Sequence, residues 1–400
     1  MAACPTRSEA IEAASEILNA LRSNTDESIN EAERVSLLKK AKGLANLLET
    51  PEDGLLKLAY APSQLMSLRV CVDLDVFSIL SEKPETSAKE LAVRTGAEEA
   101  LIRRLLRVLT ISSLVAERGP GLYGPTRWSE KLRTKTGAAM IRWNYDVVNT
   151  SFIQTPKWFA QRGYKDPQNI NDVPFHLAFD LAVGTDIYTW LTQPENEQHW
   201  NNANAFFEGD RGSRPSWVTW FPVCEKLLTG LREDDGPVLV DVAGGRGHDI
   251  TEFEQQFPDL TGRLVLQDQQ PVLDSAVLSP RIEKRVIDFW KDVPVRDSRI
   301  YFMKFIMHDF NDEQCIQILK NVAAAMKKGY SQLVIHDFIL PDMNCPELSA
   351  QWDMAMMAAM AGVERTESQW VSLMKRAGLC IEGLYQPQGD GQGIILASLE

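Results

Sequence analysis

From residue 232 onward the chain alternates short apolar runs with stretches of helical periodicity. "PVLVDVA" from 237 is followed by a helix to about 257, then "GRLVLQD", a short helix, "KRVIDF", "RIYFMKFIM", a helix over 312–327, "SQLVIHDFIL", a helix over 366–377, "CIEGLYQP" and "GIILASLE". Strands this apolar have both faces covered, and strands separated by helices are joined by crossovers rather than hairpins. The pattern therefore predicts an α/β region built on a doubly wound, mostly parallel sheet. In such a sheet ligands bind outside the carboxyl ends of the strands, where the strand order reverses. The residues that follow strand ends are the ones to read for chemistry.

The first strand runs into "DVAGGRGHDI", where Gly244, Gly245 and Gly247 let backbone N–H groups approach a ligand closely. Ile250 stands where a dinucleotide fingerprint needs its third glycine, so the turn alone is equally compatible with an ordinary strand-to-helix connection. Context separates the two. Asp268 ends the second strand, 21 residues beyond Gly247, where a carboxylate accepts both hydroxyls of a ribose. Asp241 at the glycine turn repels phosphate but suits an ammonium or sulfonium. The third strand ends with Asp288 for an adenine amino group and Phe289 to lie against the ring. Ribose, adenine and a cationic tail together describe S-adenosylmethionine.

The fourth strand, "RIYFMKFIM", is expected to carry His308 to the same edge, just ahead of a helix whose Cys315, Leu319, Val322 and Met326 face the core. An imidazole with an ordinary pKa near 6.5 accepts a proton from a phenol, although a lone histidine is more often structural. Lys304 shares the parity of His308 on an apolar strand, and a buried ammonium requires a partner, expected on the cofactor side. Glu364 lies on a loop just before Thr366, which with Gln369 has capping-box spacing; its simpler reading is a solvated loop acid.

The rest of the chain reads differently. Residues 9–50 are helical and polar-rich, broken at "NTDES" and stopped by Pro51, and 57–80 looks like a buried helix after Pro62. Residues 86–124 give helix, turn, helix and a small hairpin, with Ser87 and Glu90 in capping-box spacing, which is a winged-helix arrangement. Arg103, Arg104 and Arg107 could serve DNA, but residues 86–130 hold seven basic and five acidic side chains, far from a DNA-reading face. Residues 131–231 are helical and rich in aromatics, Phe206 and Phe207 among them. Most such side chains are core, yet their density allows a flat pocket for a ring-containing ligand. Three domains follow: 1–130 as arm and winged helix, 131–231 as aromatic helical segment, and 232–400 as the cofactor-binding domain.

Asp241 with Gly244, Gly245 and Gly247, then Asp268, Asp288-Phe289, "FMKFIMHDFNDEQC" and "GVERTESQW", resemble the S-adenosylmethionine-dependent O-methyltransferases of the plant caffeic acid and fungal natural-product type. The resemblance spans most of the chain and implies a Rossmann-like catalytic domain behind an N-terminal winged-helix dimerisation domain. It also implies a homodimer in which one subunit's arm helps close the other's site. By the same resemblance the glycine turn, Asp268, Asp288, Phe289 and Lys304 contact the cofactor, His308 is the general base and Glu364 orients it. Asp337 stands where many relatives have the longer glutamate, which puts its contact with His308 in doubt. Trp352, Met356 and Met360, with Met307, Phe206 and Phe207, would line the pocket for an aromatic or polyketide-type acceptor; core packing is the alternative for the methionines. No metal is required.

Composition narrows the rivals. A formal charge of −13 argues against nucleic acid as the main partner, and hence against a winged-helix regulator. The longest apolar run, "MAMMAAMAGV", is too short to span a bilayer, and the first residues lack a basic region followed by an apolar core, so a cytoplasmic protein without membrane partners is expected. The six cysteines are scattered without zinc-ligand spacing and read as reduced packing residues. Within the fold, the rival is a pericyclase or other natural-product cyclase that retains S-adenosylmethionine as a fixed positive charge without transferring its methyl group.

Overall fold

The computed structural model describes residues 5–23, 28–182, 184–211, 215–232, 236–388 and 391–400. The chain divides into two compact units, Met1–Asn149 with Pro194–Asp210, and Thr150–Gln193 with Arg211–Glu400. The aromatic segment 131–231 is thus shared between the two rather than forming a body of its own.

In the first unit, helices span Arg7–Ser23, Glu31–Leu48 and Pro51–Asp73. Pro51 does not simply stop the helical pattern: it occupies the first turn of the third helix, where its missing N–H costs nothing, and the Thr50 side chain caps that turn by accepting from Asp53 N–H. This helix continues through Pro62 instead of beginning after it. Most of the expected break at "NTDES" lies outside the described residues. The winged arrangement follows: β1 (Thr86–Ser87), helices Ala88–Thr95 and Glu99–Ile111, then β2 (Ala116–Gly119) and β3 (Leu122–Gly124), in the order β1-β3-β2. The Ser87 side chain accepts from Glu90 N–H as its spacing predicted. Ile102, Leu105, Leu106 and Leu109 recur on one face of the second helix and meet Phe77, Leu80 and Leu91 in a single core. Arg103 is engaged by Glu99 one turn earlier.

The second unit holds a seven-stranded sheet of β4 (Pro237–Val242), β5 (Arg263–Asp268), β6 (Ile282–Val286), β7 (Ile300–Lys304), β8 (Gln332–Asp337), β9 (Leu379–Tyr385) and β10 (Gly393–Leu399). The order is β6-β5-β4-β7-β8-β10-β9. Strands β4 to β8 pair in parallel, while β10 runs antiparallel to both β8 and β9. Every residue of β4 is buried, as a central strand covered on both faces must be. Helices Asp312–Ala325 and Glu367–Arg376 bury Ile318, Leu319, Trp370 and Leu373 on one face; Trp217, Ile250 and Phe253 cover the other. The order reverses between β4 and β7, so the turns after these two strands open at one switch point.

Two strands end earlier than their apolar runs. β6 stops at Val286, leaving Asp288 and Phe289 in the following turn, and β7 stops at Lys304. Phe305 there takes φ +54°, a left-handed conformation that breaks the strand, and His308 sits on a short 3-10 turn, Met307–Asp309. Helices Thr150–Gln161 and Pro174–Ala178 pack against Glu347–Met360 within this unit, and Trp158, Phe175 and Trp190 are buried there as core. The five described cysteines are free: Cys71 and Cys315 are buried as expected, but Cys224, Cys345 and Cys380 are exposed rather than core residues. Cys4 lies outside the described residues. Among the described residues no helix is long and apolar enough to cross a membrane.

Candidate active site

The turn after β4 is folded back on its own strand. A Cβ on Gly244 would stand 2.3 Å from the carboxyl carbon of Asp241, so only glycine lets the turn close over that buried acid. Gly247, at φ +78°, starts helix His248–Gln256, and a Cβ there would run into Leu278. Gly245 N–H donates to Asp268 Oδ2 at 2.8 Å, and Gln269 N–H donates to Oδ1 at 2.7 Å. These bonds fix the carboxylate at the end of β5. Burial raises its proton affinity, and the two N–H groups oppose that rise. The glycine turn and Asp268 are thereby joined into one cradle.

Lys304 has its partner, and it is a protein group: Nζ lies 2.8 Å from Asp249 Oδ1, with both side chains nearly buried. Asp249 stands in the first turn of the helix after Gly247, where a carboxylate is favoured by the helix dipole. Periodicity gives no sign of this pair, and the one local signal is an acid just inside a helix that follows a glycine turn. Asp288 is more open. Its Oδ1 accepts from Trp290 N–H at 3.1 Å and its Oδ2 pairs with Lys291 at 2.8 Å, which together hold it below the usual aspartate range. Phe289 is half-buried with its ring against Trp290 and Phe310.

Across the switch point, His308 is fixed by its backbone before its side chain is considered. Arg365, 1% exposed, donates to Met307 O and Phe310 O, each at 2.8 Å, and pairs with Asp312. Val363 N–H donates to His308 O at 2.8 Å. A Cβ on Gly362 would lie 2.4 Å from that same carbonyl, so this approach also needs glycine. The result brings Glu364 to the imidazole: Nδ1 lies 2.7 Å from Glu364 Oε1, with both side chains buried. On the other side, Nε2 lies 3.3 Å from Asp309 Oδ1.

Asp337 is not among the hydrogen-bond partners of His308. Its Oδ1 accepts from Phe305 N–H at 2.7 Å and its Oδ2 has no hydrogen-bond partner. Aspartate is one methylene short of glutamate and is spent on the strained residue that ends β7, while Asp309 faces Nε2 instead. Burial of His308 disfavours its charged form, but Glu364, Asp309 and Asp337 outweigh that cost and raise its pKa above the ordinary histidine range. Burial in turn pushes Asp337 up to about 7.

The expected acceptor-lining residues separate. Trp352 stacks on Phe305 at 6.4 Å, and Phe305 lies 5.2 Å from the His308 ring, which makes an aromatic wall beside the imidazole. Met307 is a correction: it is fully buried in the sheet core and offers its carbonyl, not its side chain, to this region. Met356 is buried and Met360 half-buried on helix Glu347–Met360. Phe206 is buried and Phe207 exposed in the first unit, where Phe207 packs near Trp143.

A mostly parallel sheet with a glycine turn tied to the Asp268 carboxylate on one side of its switch point, and a carboxylate-held histidine on the other, is the arrangement expected of a nucleoside-cofactor-dependent transferase. The O-methyltransferase domain model matches residues 218–380 and the O-methyltransferase dimerisation domain model matches 56–135. O-methyltransferase penC of Penicillium thymicola is 33% identical over 383 residues, covering 95% of each chain. The structure of LepI in complex with SAM superimposes with a TM-score of 0.85 at 28% identity, covering 99% of this chain and all of that one. OxaC in complex with sinefungin and meleagrin gives 0.84 at 27% identity, covering 98% and 100%. The chain belongs to the O-methyltransferase family, and it is an S-adenosylmethionine-dependent enzyme carrying that family's dimerisation domain.

Proposed function

We propose that the enzyme methylates a phenolic hydroxyl of an aromatic or polyketide-type natural product, with His308 as general base and Glu364 holding its Nδ1. The observation that carries this is the buried 2.7 Å contact between His308 Nδ1 and Glu364 Oε1 beside the aromatic wall of Phe305 and Trp352. Glu364 fixes the tautomer and stabilises the imidazolium that forms when the acceptor's proton moves to Nε2. S-adenosylmethionine, when bound, supplies an electrophilic methyl group. Asp268 and the turn Gly244–Gly247 would hold its ribose and tail, with Asp241 and the Lys304–Asp249 pair close to the turn and Asp288 and Phe289 toward the adenine. The cradle in which Gly245 N–H fixes Asp268 supports that fit.

The protein's own work is to orient the acceptor, exclude water and remove a proton. Because the surrounding carboxylates raise its proton affinity, the base form of His308 is populated on the alkaline side of neutral, and there His308→Ala is expected to lower methyl-transfer turnover about 10²–10⁴-fold, since a phenol with pKa near 10 is rarely ionised without help. The loss should shrink as pH approaches the acceptor's own pKa. Turnover that survives the substitution unchanged would refute the assignment. A homodimer is the further reading supported by the matched dimerisation domain.

A further inference from the structure

The two carboxylates that face the imidazole of His308 do not hold it equally. Glu364 meets Nδ1 at 2.7 Å, while Asp309 stands 3.3 Å from Nε2. The other oxygen of Asp309 is already taken: Tyr188 O–H donates to Oδ2 at 2.6 Å, the shorter of Asp309's two contacts. Tyr188 comes from helix Ile187–Leu191, far away in sequence. The third nearby acid, Asp337 at the end of β8, is occupied by Phe305 N–H. Glu364, Asp309 and Asp337 are thus the titratable groups that face His308, with Tyr188 acting through Asp309.

A general base needs Nε2 unprotonated and unclaimed. An ionised carboxylate in full contact with Nε2 does the opposite: it favours an imidazolium with both ring N–H groups bound. We infer that Tyr188 is a positioning residue for the base: its hydroxyl draws Asp309 by Oδ2, so that Oδ1 engages Nε2 only loosely and that nitrogen is left to the acceptor's hydroxyl. This rests on His308 being the base. In the step itself the acceptor's O–H bond breaks and an Nε2–H bond forms, and Glu364 and Asp309 share the imidazolium charge. Tyr188 keeps its own proton, since burial of its hydroxyl and the adjacent Asp309 charge raise its pKa.

Tyr188 is 44% exposed, so Tyr188→Phe removes the hydroxyl without opening a core cavity. The test is histidine ring NMR of the full-length protein saturated with S-adenosylhomocysteine, titrated from about pH 5 to 11. The chain has five histidines, and His308→Gln identifies the signal. Tyr188→Phe is expected to move the His308 midpoint to higher pH by about half a unit or more, the size of one hydrogen bond to a charged group. Asp309→Asn should lower the midpoint by about one unit or more, and Tyr188→Phe on that background should add nothing. A midpoint that stays or falls in Tyr188→Phe, or a shift that persists without the Asp309 carboxylate, overturns the inference. Failure of the base assignment shows separately, as methyl transfer that survives His308→Ala whatever the midpoints do.

Discussion

Replacing Glu364 by glutamine keeps the side chain's length and removes its charge from the buried cluster. The bond at stake is the 2.7 Å contact to His308 Nδ1, made where Glu364 is 3% exposed and His308 6%. A hydrogen bond to a charged group in such a site contributes about 1.5–3 kcal/mol, which is roughly 10- to 150-fold in rate when the bond is needed only as the imidazolium forms. The amide also offers N–H donors to Nδ1, which would favour the tautomer that carries its proton on Nε2 and cannot act as a base. Two results are expected together in Glu364→Gln. Turnover, followed as S-adenosylhomocysteine release with a phenolic acceptor, falls by that factor, and the acidic limb of its pH profile moves to lower pH because the main charge raising the histidine's proton affinity is gone. S-adenosylhomocysteine affinity by calorimetry should hardly change. A folded variant with turnover within twofold of the parent and an unmoved limb would refute the reasoning.

Asp268→Ala should weaken S-adenosylhomocysteine binding roughly thirty- to thousand-fold through loss of two charge-assisted hydrogen bonds to the ribose, and unchanged affinity in calorimetry would exclude the assigned cradle. Asp337 gives a stability prediction with a definite sign. Its pKa is raised on folding to about 7, so the native state keeps a proton that the unfolded chain releases, and its contribution declines as pH rises from about 4 to 7. The Tm of Asp337→Asn relative to the parent should therefore increase across that window, and a difference that is flat or decreasing would contradict the burial of this acid. Light scattering at micromolar protein should give about twice the chain's 45.0 kDa, and a monomer would remove the homodimer reading.

The sheet was legible because hydrophobic runs and crossover helices leave few topologies open, and the residues after its strand ends were legible for the same reason. The pairing of His308 with Glu364, 56 residues on, was legible only through the family resemblance, since from the residues alone Glu364 read equally as a solvated loop acid. What the sequence did not disclose was set by backbone direction and by distance along the chain. Nothing in "RIYFMKFIM" announces that Phe305 turns left-handed, yet that turn takes His308 off the strand and claims Asp337. Tyr188 meets Asp309 across 121 residues, a pairing invisible to periodicity. Met307 was expected to line the pocket, but the 3-10 turn aims it into the core. Asp249 reads as an ordinary first-turn helix acid until the fold brings Lys304 to it across 55 residues.

In the proposed reaction a methyl group moves to oxygen while His308 takes the proton. The direct measurement is a reaction with methyl-labelled S-adenosylmethionine and a panel of phenolic and hydroxypyridone acceptors, scored for label in the product and for S-adenosylhomocysteine, in the parent and in His308→Ala. Label is expected in the acceptor with one S-adenosylhomocysteine per product, and both should fall about 10²–10⁴-fold in the variant. An acceptor that the parent converts to an unlabelled, rearranged product without S-adenosylhomocysteine would contradict methyl transfer and leave only the fold and the cofactor cradle standing.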